Sequence, residues 1–183
     1  MPNTTDVAIV GGGVIGCSIA YYHSKHGISS TLFEQWRFAS GASGATAGIV
    51  APVRYISPGS AATFSLGLKS LQMFPQLTDE LKEEGIDPEF QQNGYLKVAL
   101  TEDQAVTLRE DLAWQDELDM GVRWLSLQQI IEREPAINHE AIGATFSPLE
   151  GSVSGQRLVS ALVQAATRRG AQCFDGTQVV GLE

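Results

Sequence analysis

The stretch DVAIVGGGVIGCSIAYYHSKHG, residues 6–27, constrains the fold of this chain more than any other. Val7 to Val10 is a short uninterrupted apolar run, the pattern of a strand buried on both faces of a parallel sheet. Gly11, Gly13 and Gly16 follow at the spacing G-x-G-x-x-G. Beyond them Val14, Cys17, Ile19, Ala20 and Tyr22 predict a mostly buried helix running to about His26. Gly27 is placed to stop it, with Lys25 and His26 in the last turn, where positive charge is favoured. Ser30 to Phe33 then reads as a second strand, and Glu34 stands at its end.

Each part of this strand–turn–helix–strand unit has a chemical reason. Gly11 allows the sharp turn. At Gly13 a phosphate oxygen can approach the backbone where a Cβ would collide, and Gly16 lets the helix lie close against the sheet. The helix N-terminus presents amide N–H groups and a partial positive charge to a pyrophosphate. Glu34, eighteen positions after Gly16, is placed to accept hydrogen bonds from ribose hydroxyls, and its charge repels a 2′-phosphate. The prediction is a dinucleotide site that disfavours an NADP-type ligand. Glycines serving a tight turn alone would leave Glu34 unexplained.

A second run of small residues covers 39–50, where every residue except Ile49 is Ala, Gly, Ser, Thr or Val. Low complexity alone reads as a flexible linker. Ile49 to Val53 is apolar, however, and would not sit in a solvated linker. The second reading is a loop threading past a bulky ligand, with Ser40, Ser43 and Thr46 hydroxyls available to phosphates. Both readings stay open on local sequence.

Further on, a helix is predicted from about 60 to 84, broken or bent near Pro75, and a strand over 94–100. Thr101-Glu102-Asp103-Gln104 resembles a cap opening a helix toward Gly121. Trp124-Leu125 begins a short extended piece, and residues 126–131 a short helix stopped before Pro135. Residues 142–146 read as a strand. Leu158, Leu162, Val163, Ala165 and Ala166 form a helical stripe, and 173–174 and 179–182 read as closing strands.

The net charge of -9 disfavours nucleic acid and anionic membrane surfaces as partners. Cys17 and Cys173 show neither a disulfide framework nor metal spacing, and a reducing cytoplasmic setting fits them. His23 and His26 lie three apart on one helix without a third ligand nearby, so no metal is expected. No residue can be singled out as catalytic.

Taken in order, VAIVGGGVIGCSIAYYHSKHG, SGASGATAGIVAP, NGYLKVALTEDQ, LSLQQIIEREPAI and EGSVSGQRLVSALVQAATRRGAQCFDGTQVVGLE span nearly the whole chain. This series resembles the D-amino-acid-oxidase-like FAD-dependent oxidoreductases, and within them the glycine oxidase and sarcosine oxidase branch. The resemblance implies FAD rather than NAD, a choice the glycines alone leave open. It implies an α/β fold: a Rossmann-like FAD-binding domain of the glutathione-reductase type with part of an α+β substrate domain. The implied divisions are 1–88 and 143–183 for the FAD-binding domain and 89–142 for the partial substrate domain.

Carried over by position, Gly11, Gly13, Val14, Ile15 and Gly16 would surround the pyrophosphate, with Glu34 and Gln35 at the ribose. Ala42, Ser43, Thr46, Ala47, Gly48 and Ile49 would line the route toward the flavin ring, and the backbone of Val179 would meet the adenine. The implied chemistry is oxidation of a small amino acid or secondary amine by hydride transfer to flavin, with oxygen or another acceptor taking the electrons. Family members are about twice this long, so this chain is expected to be an N-terminal portion, incomplete in catalysis. The other hypothesis is a dinucleotide-binding module without its own turnover, completed by a partner chain; a homo-oligomer or a partner subunit is the assembly considered.

Overall fold

The structure, a computed structural model, describes residues 4–53, 61–116 and 119–181. Its elements run β1 (Val7–Val10), α1 (Val14–Lys25), β2 (Ser30–Phe33), β3 (Ile49–Val50), α2 (Ala61–Glu83), β4 (Tyr95–Ala99), α3 (Glu102–Asp116), β5 (Arg123–Leu125), α4 (Leu127–Arg133), β6 (Gly143–Ser147), β7 (Gly151–Ser152), α5 (Gly155–Arg168) and β8 (Gln172–Phe174). They fall into two compact units. The first comprises Met1–Ile49, Phe74–Phe90 and Val153–Glu183, the second Val50–Met73 and Gln91–Ser152.

In the first unit β1, β2 and β8 form a parallel sheet in that order. Ile9 sits opposite Leu32, and Leu32 opposite Cys173. Helix α1 ends as its sequence predicts. Gly27 takes φ +71°, and the amides of Gly27 and Ile28 return to the carbonyls of Ser24 and His23 at 3.3 and 3.0 Å. The core forms where α1 and α5 meet: Cys17, Ala20 and Tyr21 lie against Leu158, Val159, Ala161, Leu162, Ala165 and Ala166, with Leu32, Leu77 and Leu81 completing the cluster. Alanines on facing helices permit close approach. The larger members, such as Leu162 and Leu81 (each 0 % exposed), contribute roughly 1.5–3 kcal/mol each by burial.

Buried Tyr21 directs its hydroxyl outward, donating to Glu80 Oε2 at 2.6 Å, while Lys25 Nζ reaches the same oxygen at 2.7 Å. The Lys25 ammonium, and then the Tyr21 hydroxyl, hold the Glu80 carboxyl down at about 2. Burial, then the bond to Glu80, pushes the Tyr21 phenol upward. Helix α2 runs unbroken through Pro75, so the break that was one of the two expectations there does not occur. Proline removes one amide donor and crowds the carbonyl four residues before it, which disfavours a helix interior without forbidding it, and the Thr78 hydroxyl donates to the Pro75 carbonyl at 3.0 Å.

In the second unit β6 lies between β4 and β5, antiparallel to both, and all five of its residues are buried. Residues 143–147, expected with the dinucleotide-binding domain, thus belong to this sheet. Their register explains it: Phe146 sits opposite both Leu96 and Arg123, and the Arg123 and Arg133 guanidiniums lie over its ring at 5.0 and 4.2 Å. Helix α3 opens on the expected cap, with Gln104 N–H donating to Thr101 Oγ1 and Gln104 Oε1 accepting from Thr101 N–H. Ser126 caps α4, which ends before Pro135 as predicted.

The strand expected over 179–182 does not form in its described part. Residues 179–181 join no ladder, and Val180 is 91 % exposed. The segment is anchored instead just upstream, where Gly176 and Thr177 donate to the carbonyls of Trp36 and Glu34. Leu182 lies outside the described residues. No helix among the described residues is long and apolar enough to cross a membrane.

Candidate functional site

The site is built at the carboxyl ends of β1 and β2, inside the first unit. After Val10 the chain turns at Gly11, which adopts φ +111°, a conformation that strains any residue with a side chain. Its amide donates to the Phe33 carbonyl at 2.9 Å, tying the turn to β2. A Cβ on Gly16 would fall 2.0 Å from the Gly11 carbonyl oxygen, so only glycine lets α1 start this close to the strand end. Gly11 and Gly16 thus act as their spacing predicted.

The carboxylate of Glu34 is held at both oxygens. Oε2 accepts from the Gly12 amide at 2.7 Å and Oε1 from the Trp36 amide at 2.9 Å. An ionised carboxylate offers about four lone-pair positions, so capacity remains for ribose hydroxyls. Gly12, the middle of three glycines, was not singled out by the motif. A Cβ there would meet Phe38 Cδ1 at 2.5 Å and Glu34 Cβ at 2.7 Å, so its bareness is what lets the carboxylate rest on the turn.

Gly13 occupies the N-cap of α1 and supplies no side-chain bond. The cap comes from far along the chain: Ser43 Oγ accepts from the Val14 amide at 2.9 Å, leaving the hydroxyl proton to donate outward. Residues 38–44 form successive turns, with Ala39 donating to the Gly12 carbonyl at 3.0 Å. Farther along, the Val153 amide donates to the Gly48 carbonyl at 2.8 Å, and a Cβ on Gly155 would strike Ser43 O at 2.3 Å and Thr46 Cγ2 at 2.5 Å. The small-residue run is therefore a packed loop laid over the start of α5, not a linker. Its lack of side-chain bulk is what allows that packing.

These parts enclose an open cleft of about 150 Å³ lined by Gly12, Gly13, Glu34, Gln35, Trp36, Ser40, Gly41, Ala42 and Ser43. Of the residues expected at the cofactor, Gly13, Glu34, Gln35, Ala42 and Ser43 line it, and Val14 touches it through Ser43. Gly11 and Gly16 shape the turn behind it. Ile15 is 76 % exposed on the first turn of α1. Thr46, Ala47 and Gly48 continue the loop and Ile49 opens β3, and none of the four lines the cleft; Thr46 Oγ1 accepts from the Gly48 amide at 3.0 Å. Val179 stands half-exposed two residues past Thr177, whose amide donates to the Glu34 carbonyl at 2.7 Å. Ser40, whose hydroxyl the sequence offered to phosphates, also lines the cleft, whereas Gly12, Trp36 and Gly41 were not anticipated. A third glycine at the unassigned motif position 12 and the aromatic two residues past Glu34 were the available signals.

Cys17 is buried behind this turn, and its thiol is pushed up to about 12, mainly by burial, with Cys173 and Glu34 adding to the effect. It is a packing residue, not a nucleophile. Among the described residues no cluster of His, Cys, Asp and Glu could hold a metal ion.

The cradle suits the ADP half of a dinucleotide. It offers a bare turn at Gly12 and Gly13, a hydroxyl donor at the helix start and a fixed acid one strand away. Comparison with known proteins gives the family. Glycine oxidase from Geobacillus kaustophilus (strain HTA426) is 36% identical over 181 residues, 98% of this chain and 48% of that protein. Glycine oxidase from Bacillus cereus ATCC 14579 superposes with a TM-score of 0.91 at 30% identity, covering 98% of this chain and 50% of that one. The L-α-glycerophosphate oxidase from Mycoplasma pneumoniae, solved with FAD bound, does so with a TM-score of 0.79 at 27% identity, covering 98% and 46%. The chain spans about half the length of the glycine oxidases it matches. A family model described as FAD dependent oxidoreductase matches residues 6–183, and the chain belongs to that family.

Proposed function

We propose that this chain forms the cofactor-binding portion of an oxidoreductase that oxidises the C–N bond of a small amino acid or secondary amine, such as glycine, sarcosine or a D-amino acid. The observation that supports the reading best is the Glu34 carboxylate, fixed between the Gly12 and Trp36 amides at the edge of a glycine-lined cleft. In this reading Glu34 accepts from the adenosine ribose, and its charge turns away a 2′-phosphate. The Gly13 turn and the Ser43 hydroxyl hold the pyrophosphate, while the 42–49 loop leads toward the ring system. Bound there, FAD would supply the hydride acceptor, and the protein's part is binding and orientation. Oxygen or a protein electron acceptor would then take up the electrons. The two free cysteines fit a cytoplasmic setting.

A second reading is a dinucleotide-holding module completed by a partner chain, which draws on the chain's spanning about half the length of its relatives. Titration of FAD into the purified chain, followed by flavin fluorescence, tests the shared premise. ADP should compete for the site and FMN should not. Competition by FMN alone would place the flavin elsewhere and defeat the reading.

A further inference from the structure

Trp36 lines the cleft without any part in the phosphate or ribose contacts. Its backbone is fixed on both sides. The amide donates to Glu34 Oε1 at 2.9 Å, and the carbonyl accepts from Gly176 N–H at 2.6 Å. Its side chain is nevertheless 65 % exposed, while Trp114 and Trp124 are half-buried. A bare indole on a rigid backbone forgoes the burial that makes tryptophan useful to a fold.

Position decides what the indole is for. The Glu34 carboxylate bridges the glycine turn, through Oε2, to the Trp36 amide, through Oε1. Trp36 therefore stands on the side of the ribose-binding acid away from the phosphate-binding turn. A nucleotide lying phosphate, ribose, base along this cleft places its base there. The segment that follows β8 is tied to the same stretch, with Gly176 and Thr177 donating to the Trp36 and Glu34 carbonyls.

We propose that the Trp36 indole is the nucleobase platform of the cleft, stacking on the purine of the bound dinucleotide. The proposal rests on the reading of the cleft as an ADP-half site and goes beyond it, since neither the motif nor the resemblance assigns Trp36 a role. A flat aromatic face recognises the base by stacking without hydrogen-bond readout, so it supplies affinity and leaves the ribose and phosphate contacts to specify the ligand.

The test is calorimetric titration of ADP into the wild-type chain, Trp36→Leu and Trp36→Phe, with indole emission recorded in parallel. Trp36→Leu should weaken ADP about tenfold with its melting temperature unchanged, and Trp36→Phe should restore most of the affinity. ADP should quench the wild-type emission, and the quenching should disappear in both variants. ADP bound equally well by all three chains, or quenching that persists without Trp36, overturns the proposal. If Trp36→Leu fails to fold, the quenching comparison with Trp36→Phe decides alone. A wild-type chain that binds no ADP defeats the cofactor reading itself and this proposal with it.

Discussion

Exchanging Glu34 for glutamine changes one oxygen to an NH₂ group at almost constant volume, and the geometry at that position sets the expected cost. Both carboxylate oxygens accept from backbone amides, at 2.7 Å from Gly12 and 2.9 Å from Trp36. Glutamine offers one acceptor, so whichever way its amide turns, an N–H faces an N–H. One charge-assisted bond is lost and one backbone donor is left without a partner, and the Gly12 amide is the more costly to orphan because Gly12 is buried. Each change is worth about 1–3 kcal/mol, and partial rehydration at the exposed Trp36 side puts the net near 1–3 kcal/mol. For a chain of this size that lowers the melting temperature by roughly 2–10 °C. Affinity for ADP should fall by a similar energy, because ribose hydroxyls then meet a neutral, half-donor group. Scanning calorimetry without ligand and ADP titration measure the two effects separately. A Glu34→Gln chain that melts and binds like wild type would show that the carboxylate bridge neither supports the turn nor meets the ribose.

Three other perturbations follow from the same geometry. Gly16→Ala sets a methyl 2.0 Å from the Gly11 carbonyl oxygen, a backbone atom that cannot step aside, so a loss of about 3 kcal/mol or more in unfolding free energy is expected from denaturant titration, and cofactor retention should fall with it. Glu80 has a folded pKa of about 2, depressed chiefly by Lys25, so its contribution is complete above about 4.5 and disappears as pH falls from there toward 2. Discounted for solvent screening it is about 1 kcal/mol; Glu80→Gln should lose that much at pH 7 and show a flatter acid limb in urea titrations. Cys17, buried and with its thiol raised to about 12, should resist a thiol reagent at pH 8 in the native chain and react on unfolding; prompt native-state labelling at Cys17 would contradict the packing around it.

The local half of this architecture was legible because its causes are local. Strand, glycine turn, helix and second strand follow one another within residues 6–34, and Gly11 and Gly16 have their conformational and steric reasons within that span. The small-residue run was not decidable. Its composition suits a linker and a packed loop equally, and the difference lies in Val153 and Gly155, more than a hundred residues away. The core stripe of α5 was recognised at Leu158 and Leu162, but Val159 and Ala161 were not. The contact with α1 wraps farther round the helix than one periodic stripe, because small residues let the helices come close. The β-branched pair Val179-Val180 misled as a strand. Propensity describes a residue's fit to a sheet and cannot supply the neighbouring strand. Gly12 and Trp36 matter through what Glu34 does in three dimensions, which no spacing rule records.

The central claim is that the cleft between the glycine turn and Glu34 holds the ADP half of FAD. The most direct test is to incubate the purified chain with FAD, NAD and FMN together, desalt it, and identify by mass what is released on denaturation, repeating the measurement with Glu34→Gln. Wild-type chain should release FAD, with less from the variant. Release of NAD or FMN instead, or equal FAD from both chains, would contradict the account.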